Sequence, residues 1–203
     1  MDFLTVAQRI RNLAQAGLAY SEGPFDRDRY QQLLALAAEI LATSTGTSLD
    51  EVTEILRLER GYPTPKVDVR AVVPRGDQLL FVRETTDGRW ALPGGWADSG
   101  TSPSKMAARE VLEETGYVVT PLKVLAVFDK ATHFPVSELW GVYKLFFLCR
   151  IDGGEARPSF ETPELGFFGE NEIPPLSLNR NTEGQVRRMF EHVRAPHLAT
   201  DFD

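Results

Sequence analysis

Along the first sixty residues, apolar side chains return at three- and four-residue intervals, the spacing of one face of a helix. Leu4, Ile10, Leu13, Ala14 and Leu18 mark a first helix that closes between Gly17 and Gly23. Tyr30, Leu33, Leu34, Ala37, Ile40 and Leu41 mark a second, with Asp26 as its expected cap, and Val52, Ile55 and Leu56 a third that Ser48 opens. Residues 1–60 are therefore expected to form a small all-α domain. Bundles this short often need a partner surface to bury their apolar faces, so a homodimer is expected. Residues 61–66 carry GYPTP, turn chemistry that no helix continues through, and read as a linker.

Beyond the linker the pattern changes to alternation. Val67, Val69, Ala71 and Val73 define a strand, Gly76 and Asp77 turn the chain, and Leu79 to Val82 define a second strand. Asp87 and Gly88 turn it again before a short strand at Trp90 to Leu92. Long strands follow at Val118 to Phe128 and Leu139 to Ile151, then a short one near Phe167 and a closing helix over Thr182 to Val193. Residues 67–203 thus read as an α/β domain with a mixed sheet.

One helix, over residues 103 to 115, differs from the others in what it exposes. Ser102 as N-cap and Pro103 as first helical residue start it, and Gly116 ends it. Ala107, Ala108, Val111 and Leu112 form a face that packs on a sheet. The step per residue places Glu110, Glu113 and Glu114 within an arc of roughly 100° on the other side. Carboxylates so crowded repel one another unless a cation sits among them, and hard oxygen ligands suit Mg²⁺ or Mn²⁺. A solvated acidic face is the alternative for an isolated run of this kind.

The chain has 203 residues, 42% of them hydrophobic, and a formal net charge of −7. That charge argues against a broad basic track for nucleic acid, and in residues 1–60 six arginines face nine acidic residues with no lysine, so a DNA partner is unlikely there. Cys149 is the single cysteine, so no intramolecular disulfide is possible, and its FFLCR surroundings suggest a buried thiol. No basic and apolar leader opens the chain and no apolar run approaches the ~20 residues of a membrane span, so a cytoplasmic protein is expected.

The stretch from Gly95 to Tyr117 resembles the Nudix box, whose pattern is glycine, five residues, glutamate, seven residues, then REUXEEXGU with U apolar. Gly95 stands for the first glycine, Arg109 and Glu110 for RE, Val111 for U, Glu113 and Glu114 for EE, Gly116 for the last glycine and Tyr117 for the final apolar place. Thr101 stands where the isolated glutamate belongs. The helical N-terminal segment further resembles a Nudix subgroup that acts on ADP-ribose and on CDP-alcohols such as CDP-choline.

The resemblance implies a Nudix fold, a mixed sheet sandwiched between helices, after a small N-terminal all-α domain. It also implies hydrolysis of a nucleoside diphosphate linked to another moiety, with release of a nucleoside monophosphate, by Mg²⁺ or Mn²⁺. Glu110, Glu114, Glu113 and the carbonyl of Gly94 are the implied metal ligands, and Arg109 the residue that pairs with a box carboxylate. At Thr101 the implied supporting carboxylate is lost, and Asp98 is placed to compensate in part. Glu161 and Glu164, in PSFETPEL, are candidates for the general base. Arg70, Arg83 and Lys144 are candidate phosphate contacts, and Trp96, Phe128, Phe134 and His133 candidate contacts to the rest of a small nucleotide substrate. Two other readings stay open: a nucleotide-binding regulator whose site has lost turnover, and a Nudix enzyme acting on nucleoside triphosphates or RNA ends.

Overall fold

The computed structural model describes residues 3–133 and 140–203. They divide into two compact units, one built on the chain up to Pro65 together with Trp140, the other on the chain from Lys66 onward without it.

The first unit contains α1 (Phe3–Tyr20), α2 (Pro24–Thr45) and α3 (Leu49–Leu58). Its core is small: Ala7, Ala38, Leu41, Val52 and Leu56. The α1 helix runs through Gly17, where termination was expected, because the bare backbone there receives the Tyr30 ring of α2. A Cβ at that position would lie 2.4 Å from the ring. Leu13 is exposed, and the packed face of α1 is Ala7 and Ala14 with Arg11 and Gln15. Arg11 pairs with Glu59 and lies over the Trp140 ring, while the Gln15 amide donates to the carbonyls of Glu59 and Gly61. The α2 helix starts at Pro24 after Gly23, three residues ahead of a start capped by Asp26. Asp26 falls in the first turn, where its charge complements the helix dipole, and pairs with Arg29. Ser48 caps α3 by accepting from the Glu51 N–H.

The second unit has two sheets where pattern alone suggested one. The mixed sheet joins β1 (Lys66–Val72), β5 (Tyr117–Asp129), β6 (Val142–Gly154) and β8 (Asp201–Phe202) in the order β1-β6-β5-β8. Its β1/β6 and β5/β8 pairs are parallel and β5/β6 is antiparallel. The second sheet, antiparallel, contains β2 (Pro74–Arg75), β3 (Gln78–Arg83), β4 (Trp90–Ala91) and β7 (Glu164–Gly169), with β7 on the free edge of β3. Helix α4 (Pro103–Thr115) packs against β1 and β5, and α6 (Glu183–Arg194) opens on a capping box between Thr182 and Gln185. The short α5 (Lys130–His133) follows β5 directly.

Strand alternation divides the core in two. Val69, Ala71 and Val73 join Met106, Ala107, Val111 and Phe147 beneath α4. Val72 points the other way, into Leu79, Phe81, Phe128, Phe146, Met189 and Phe190 between the sheets and α6. Cys149 is buried in the first of these, and burial pushes its thiol up to about 12. Among the described residues no helix is long and apolar enough to cross a membrane.

Strand β8 carried no sequence signal, being two residues long; what holds it is Asp201. That carboxylate accepts two bonds from the Arg188 guanidinium, at 2.6 and 2.8 Å, and lies 2.9 Å from the His192 ring. These partners pull it from an ordinary 3.8 down to about 2. A folded-state pKa below the unfolded value gives stability that is present above about pH 4 and lost as pH falls toward 2. We expect Asp201→Asn to lower the melting temperature at neutral pH and to shrink the difference from wild type as the pH approaches 2, measured by circular dichroism across the acid range. A constant difference would remove Asp201 from the acid transition.

Candidate active site

Three backbone hydrogen bonds lace the turn after β4 onto β1: Ala71 N–H to Pro93, Val69 N–H to Gly95 and Ala97 N–H to the Val67 carbonyl. The approach is close enough that a Cβ on Gly94 would lie 2.0 Å from the Val69 carbonyl oxygen, and Gly94 has φ 144°. Only glycine fits this turn. Freed from the sheet, the Gly94 N–H donates to Glu114 Oε2 at 2.9 Å, and the Glu110 carboxylate packs over Gly95. Helix α4 thus lays two of its carboxylates on the turn. Its C-terminus is held by Gly116 at φ 76°, by Thr162, which donates to the Glu114 carbonyl, and by the Arg157 N–H, which donates to the Thr115 carbonyl.

Burial is what perturbs these acids. Glu114, 8% exposed, is pushed up to about 8, chiefly by desolvation, with the Arg70 cation and the Gly94 N–H opposing the rise and Glu110 and Glu84 adding to it. Glu110 is also raised, by burial and then by Glu113, with Glu161 contributing. Two carboxylates are packed where neither is at ease ionised, and their oxygens are hard donors. Both facts fit a divalent cation such as Mg²⁺ or Mn²⁺, which takes one or two protein carboxylates and completes its shell with water and substrate phosphate. Among the described residues no three Asp, Glu, His or Cys side chains stand in a ready-made cage.

Glu113 is turned aside from that pair. Its carboxylate accepts from Arg109 Nε at 2.7 Å, and Arg109 Nη1 donates to Asp98 at 3.2 Å. Thr101 sits in the turn above, its N–H on the Asp98 carbonyl at 3.3 Å. Asp98 thereby puts a carboxylate against the arginine without help from position 101.

The structure moves several predicted substrate contacts into the interior. Arg70 is fully buried, its guanidinium spent on both oxygens of Asp68 and on the Leu92 carbonyl. Lys144, opposite Asp68 in the β1/β6 register, is equally buried against Asp68 and the carbonyls of Asn179 and Arg180. Both read as surface cations because polar residues alternate with apolar ones on these strands; the second face is in fact covered. Phe128 belongs to the core, edge-on to Phe146. His133 stacks on Phe128 and pairs with Asp203. Arg83 and Glu164 pair with each other at 2.6 Å across β3 and β7, so Glu164 starts a strand instead of riding a loop. Glu161 remains exposed on its loop, held by the Thr85 N–H on its carbonyl. Trp96 is 46% exposed beside the turn, its backbone bridged to Asp68. Phe134 lies outside the described residues.

Asp68, Glu84 and Arg180 surround the site without having been singled out from sequence. Asp68 and Glu84 sit at inward positions of strands or their ends, where an acid looks like any solvated one. The registry of Asp68 with Lys144 was the only signal, and it exists only across paired strands.

A carboxylate-bearing helix laid on a Pro-Gly-Gly turn beside two sheets defines a class of nucleotide-anhydride hydrolases, and comparison with known proteins agrees. Residues 64–190 match the NUDIX domain model, and residues 1–56 match the model described as a UDP-X-like, N-terminal oligomerisation domain. This chain belongs to the Nudix hydrolase family. It is 42% identical to the Bacillus subtilis protein named "Putative ADP-ribose pyrophosphatase YjhB", over 99% of this chain and 97% of that one. An ADP-ribose pyrophosphatase of Streptococcus suis has a solved structure with TM-score 0.64 and 42% identity, covering 69% of this chain and 100% of its own. The structure of a UDP-X diphosphatase superposes with TM-score 0.64 at 33% identity, covering 100% and 98%.

The raised pKa of Glu114 gives a stability signature. The folded site holds its proton between 4.5 and about 8 while the unfolded carboxyl has lost its own, so the penalty is absent below 4.5, grows with pH and is complete above about 8. Glu114→Gln keeps an acceptor for the Gly94 N–H and removes the penalty. We expect the metal-free variant to melt above wild type at alkaline pH and level with it below 4.5. Added Mn²⁺ should raise the wild-type melting temperature and leave the variant's unmoved. A variant that melts below wild type throughout would contradict this account.

Proposed function

We propose that this Nudix hydrolase cleaves the diphosphate bond of a nucleoside diphosphate linked to a second moiety, of the ADP-ribose or CDP-choline type, releasing a nucleoside monophosphate and a phosphorylated partner. The observation that carries the proposal is the seating of half-buried Glu110 and buried Glu114 together on the Gly94–Gly95 turn. Relatives named as ADP-ribose pyrophosphatases and a UDP-X diphosphatase, similar over most or all of this chain, support a substrate of that class.

In this reading Glu110 and Glu114 hold Mg²⁺ or Mn²⁺, with the Gly94 carbonyl at the same turn. The metal supplies charge to neutralise the diphosphate and to acidify water. The chain's own residues do the positioning. Arg109 holds Glu113 and is itself held by Asp98, so the helix edge keeps one shape. Glu161, exposed and within electrostatic reach of Glu110, is the proton acceptor for the attacking water; Glu164 is neutralised by Arg83 and is not. Trp96 flanks the turn and offers its ring to the nucleoside. The N-terminal helices, with exposed Phe3, Leu13, Phe25, Leu36 and Leu58, dimerise with a second copy of the chain.

With Mg²⁺ or Mn²⁺, the purified protein is expected to release AMP or CMP from at least one of ADP-ribose, CDP-choline, nucleotide sugars, dinucleoside polyphosphates and nucleoside triphosphates, and Glu110→Gln to reduce that turnover about a hundredfold or more. Binding without turnover anywhere in the panel would instead establish a nucleotide-binding regulator. A second expectation concerns the box departure. Because Asp98 already supplies the carboxylate at Arg109, Thr101→Glu should change kcat by less than about threefold, whereas Asp98→Ala should lower it by about tenfold. A large gain from Thr101→Glu would show that the position is a true defect.

A further inference from the structure

Resting on that reading, we propose that Arg180, poised against Glu84, is the cation that receives the substrate's diphosphate. The cations singled out from the sequence are otherwise spent. Arg70 and Lys144 are buried against Asp68 and main-chain carbonyls, Arg83 is taken by Glu164 and the Gly88 carbonyl, and Arg109 by Glu113 and Asp98. The interior cations balance buried acids and have no donors facing outward.

Arg180 differs in its fixing and in its partner. The segment that carries it, residues 175–181, is tied to Trp90, Leu92 and Lys144. The Leu92 N–H donates to Asn181 Oδ1 at 2.9 Å, the Ser177 N–H to the Trp90 carbonyl, the Trp90 N–H to the Pro175 carbonyl, and Lys144 Nζ to the carbonyls of Asn179 and Arg180. Its side chain, 31% exposed, meets Glu84 Oε2 at 3.4 Å, a long contact for an ion pair. A guanidinium offers five N–H donors in a planar fork suited to phosphate oxygens. One long bond leaves most of that fork unspent.

Glu84 is the reason the fork waits in place. It is 7% exposed directly after β3, its N–H donating to the Arg89 carbonyl, and its charge acts on both Glu114 and Arg70. Arg180 acts in turn on Asp68. An arginine whose chain neighbour Asn181 is bonded to Leu92, two residues before Gly94, is placed to give a diphosphate at that turn a protein-borne cation. Exchange of a single long bond to Glu84 for a bidentate pair to phosphate replaces one contact by two charge-assisted ones.

The test uses the full chain, saturated with Mn²⁺, and inorganic pyrophosphate as probe in isothermal titration calorimetry, with Mn²⁺ affinity followed separately by electron paramagnetic resonance. Arg180→Ala and the size-matched Arg180→Gln are expected to weaken pyrophosphate by about tenfold to a hundredfold while Mn²⁺ affinity and melting temperature stay at wild-type values, and Arg180→Lys to recover part of the loss. For whichever substrate is turned over, KM should rise more than kcat falls. Wild-type pyrophosphate affinity in the folded Arg180→Gln protein would overturn the proposal. Pyrophosphate binding that depends on Arg180, in a wild-type protein that turns over no compound of the panel, would refute the substrate reading and leave Arg180 as a diphosphate contact.

Discussion

Everything at this site depends on how near the Gly94 turn comes to β1. A Cβ at Gly94 would fall 2.0 Å from the Val69 carbonyl, so the absence of a side chain is what lets the turn lie on the strand. Lying there, its N–H is aimed away from the sheet and meets Glu114. That single bond, and the packing of Glu110 over Gly95, set the α4 edge against the turn with its carboxyl groups inward. The helix core face, Met106, Ala107 and Val111, then packs on Val69 and Ala71 of the same strand. Fold and chemistry share one contact surface.

The energetic counterpart is a layer of buried charge behind the turn. Asp68, Arg70 and Lys144 lie out of water together, and removal of one member would leave the others uncompensated. Burial lowers Lys144 to about 7, with Arg70 adding to the fall and Asp68 resisting it. Arg70 leans on Glu114 and Glu110 from behind, partly offsetting the cost of their desolvation. The layer therefore keeps two acids close to a charge state they would otherwise abandon. It leaves them short of full compensation, which is the condition under which an added cation binds.

The box was legible because its parts are near in sequence and because helix geometry alone brings them together. Pro103, Gly116 and the Glu110/Glu114 spacing needed no partner strand to be read. The family and its hydrolase class followed from that stretch. The substrate contacts were not legible in the same way. Arg70, Lys144 and Phe128 all lie on strands whose two faces are both covered, and alternation cannot say whether a polar position meets water or a buried counter-charge. Asp98, three residues after Gly95 and three before Thr101 and at no fixed place of the pattern, was picked out only as a compensating acid, and the structure does place it on Arg109. Strands β2 and β8, two residues each, are held by pairing and by the Asp201 ion pairs, not by local propensity.

By itself the sequence determined that the helices form, the Ser48 cap, the Gly116 stop, the alternating strands and the carboxylate edge, because each rests on periods of a few residues or on one backbone conformation. Tertiary structure decided which charges face inward. It put Asp68 opposite Lys144 across parallel strands, turned Glu113 to Arg109, spent Arg70 on the interior and left Arg180 at the edge beside Glu84. The physical reason is that a side chain's periodicity fixes its direction, while its ionisation and availability depend on what lies opposite, and residues far along the chain supply that.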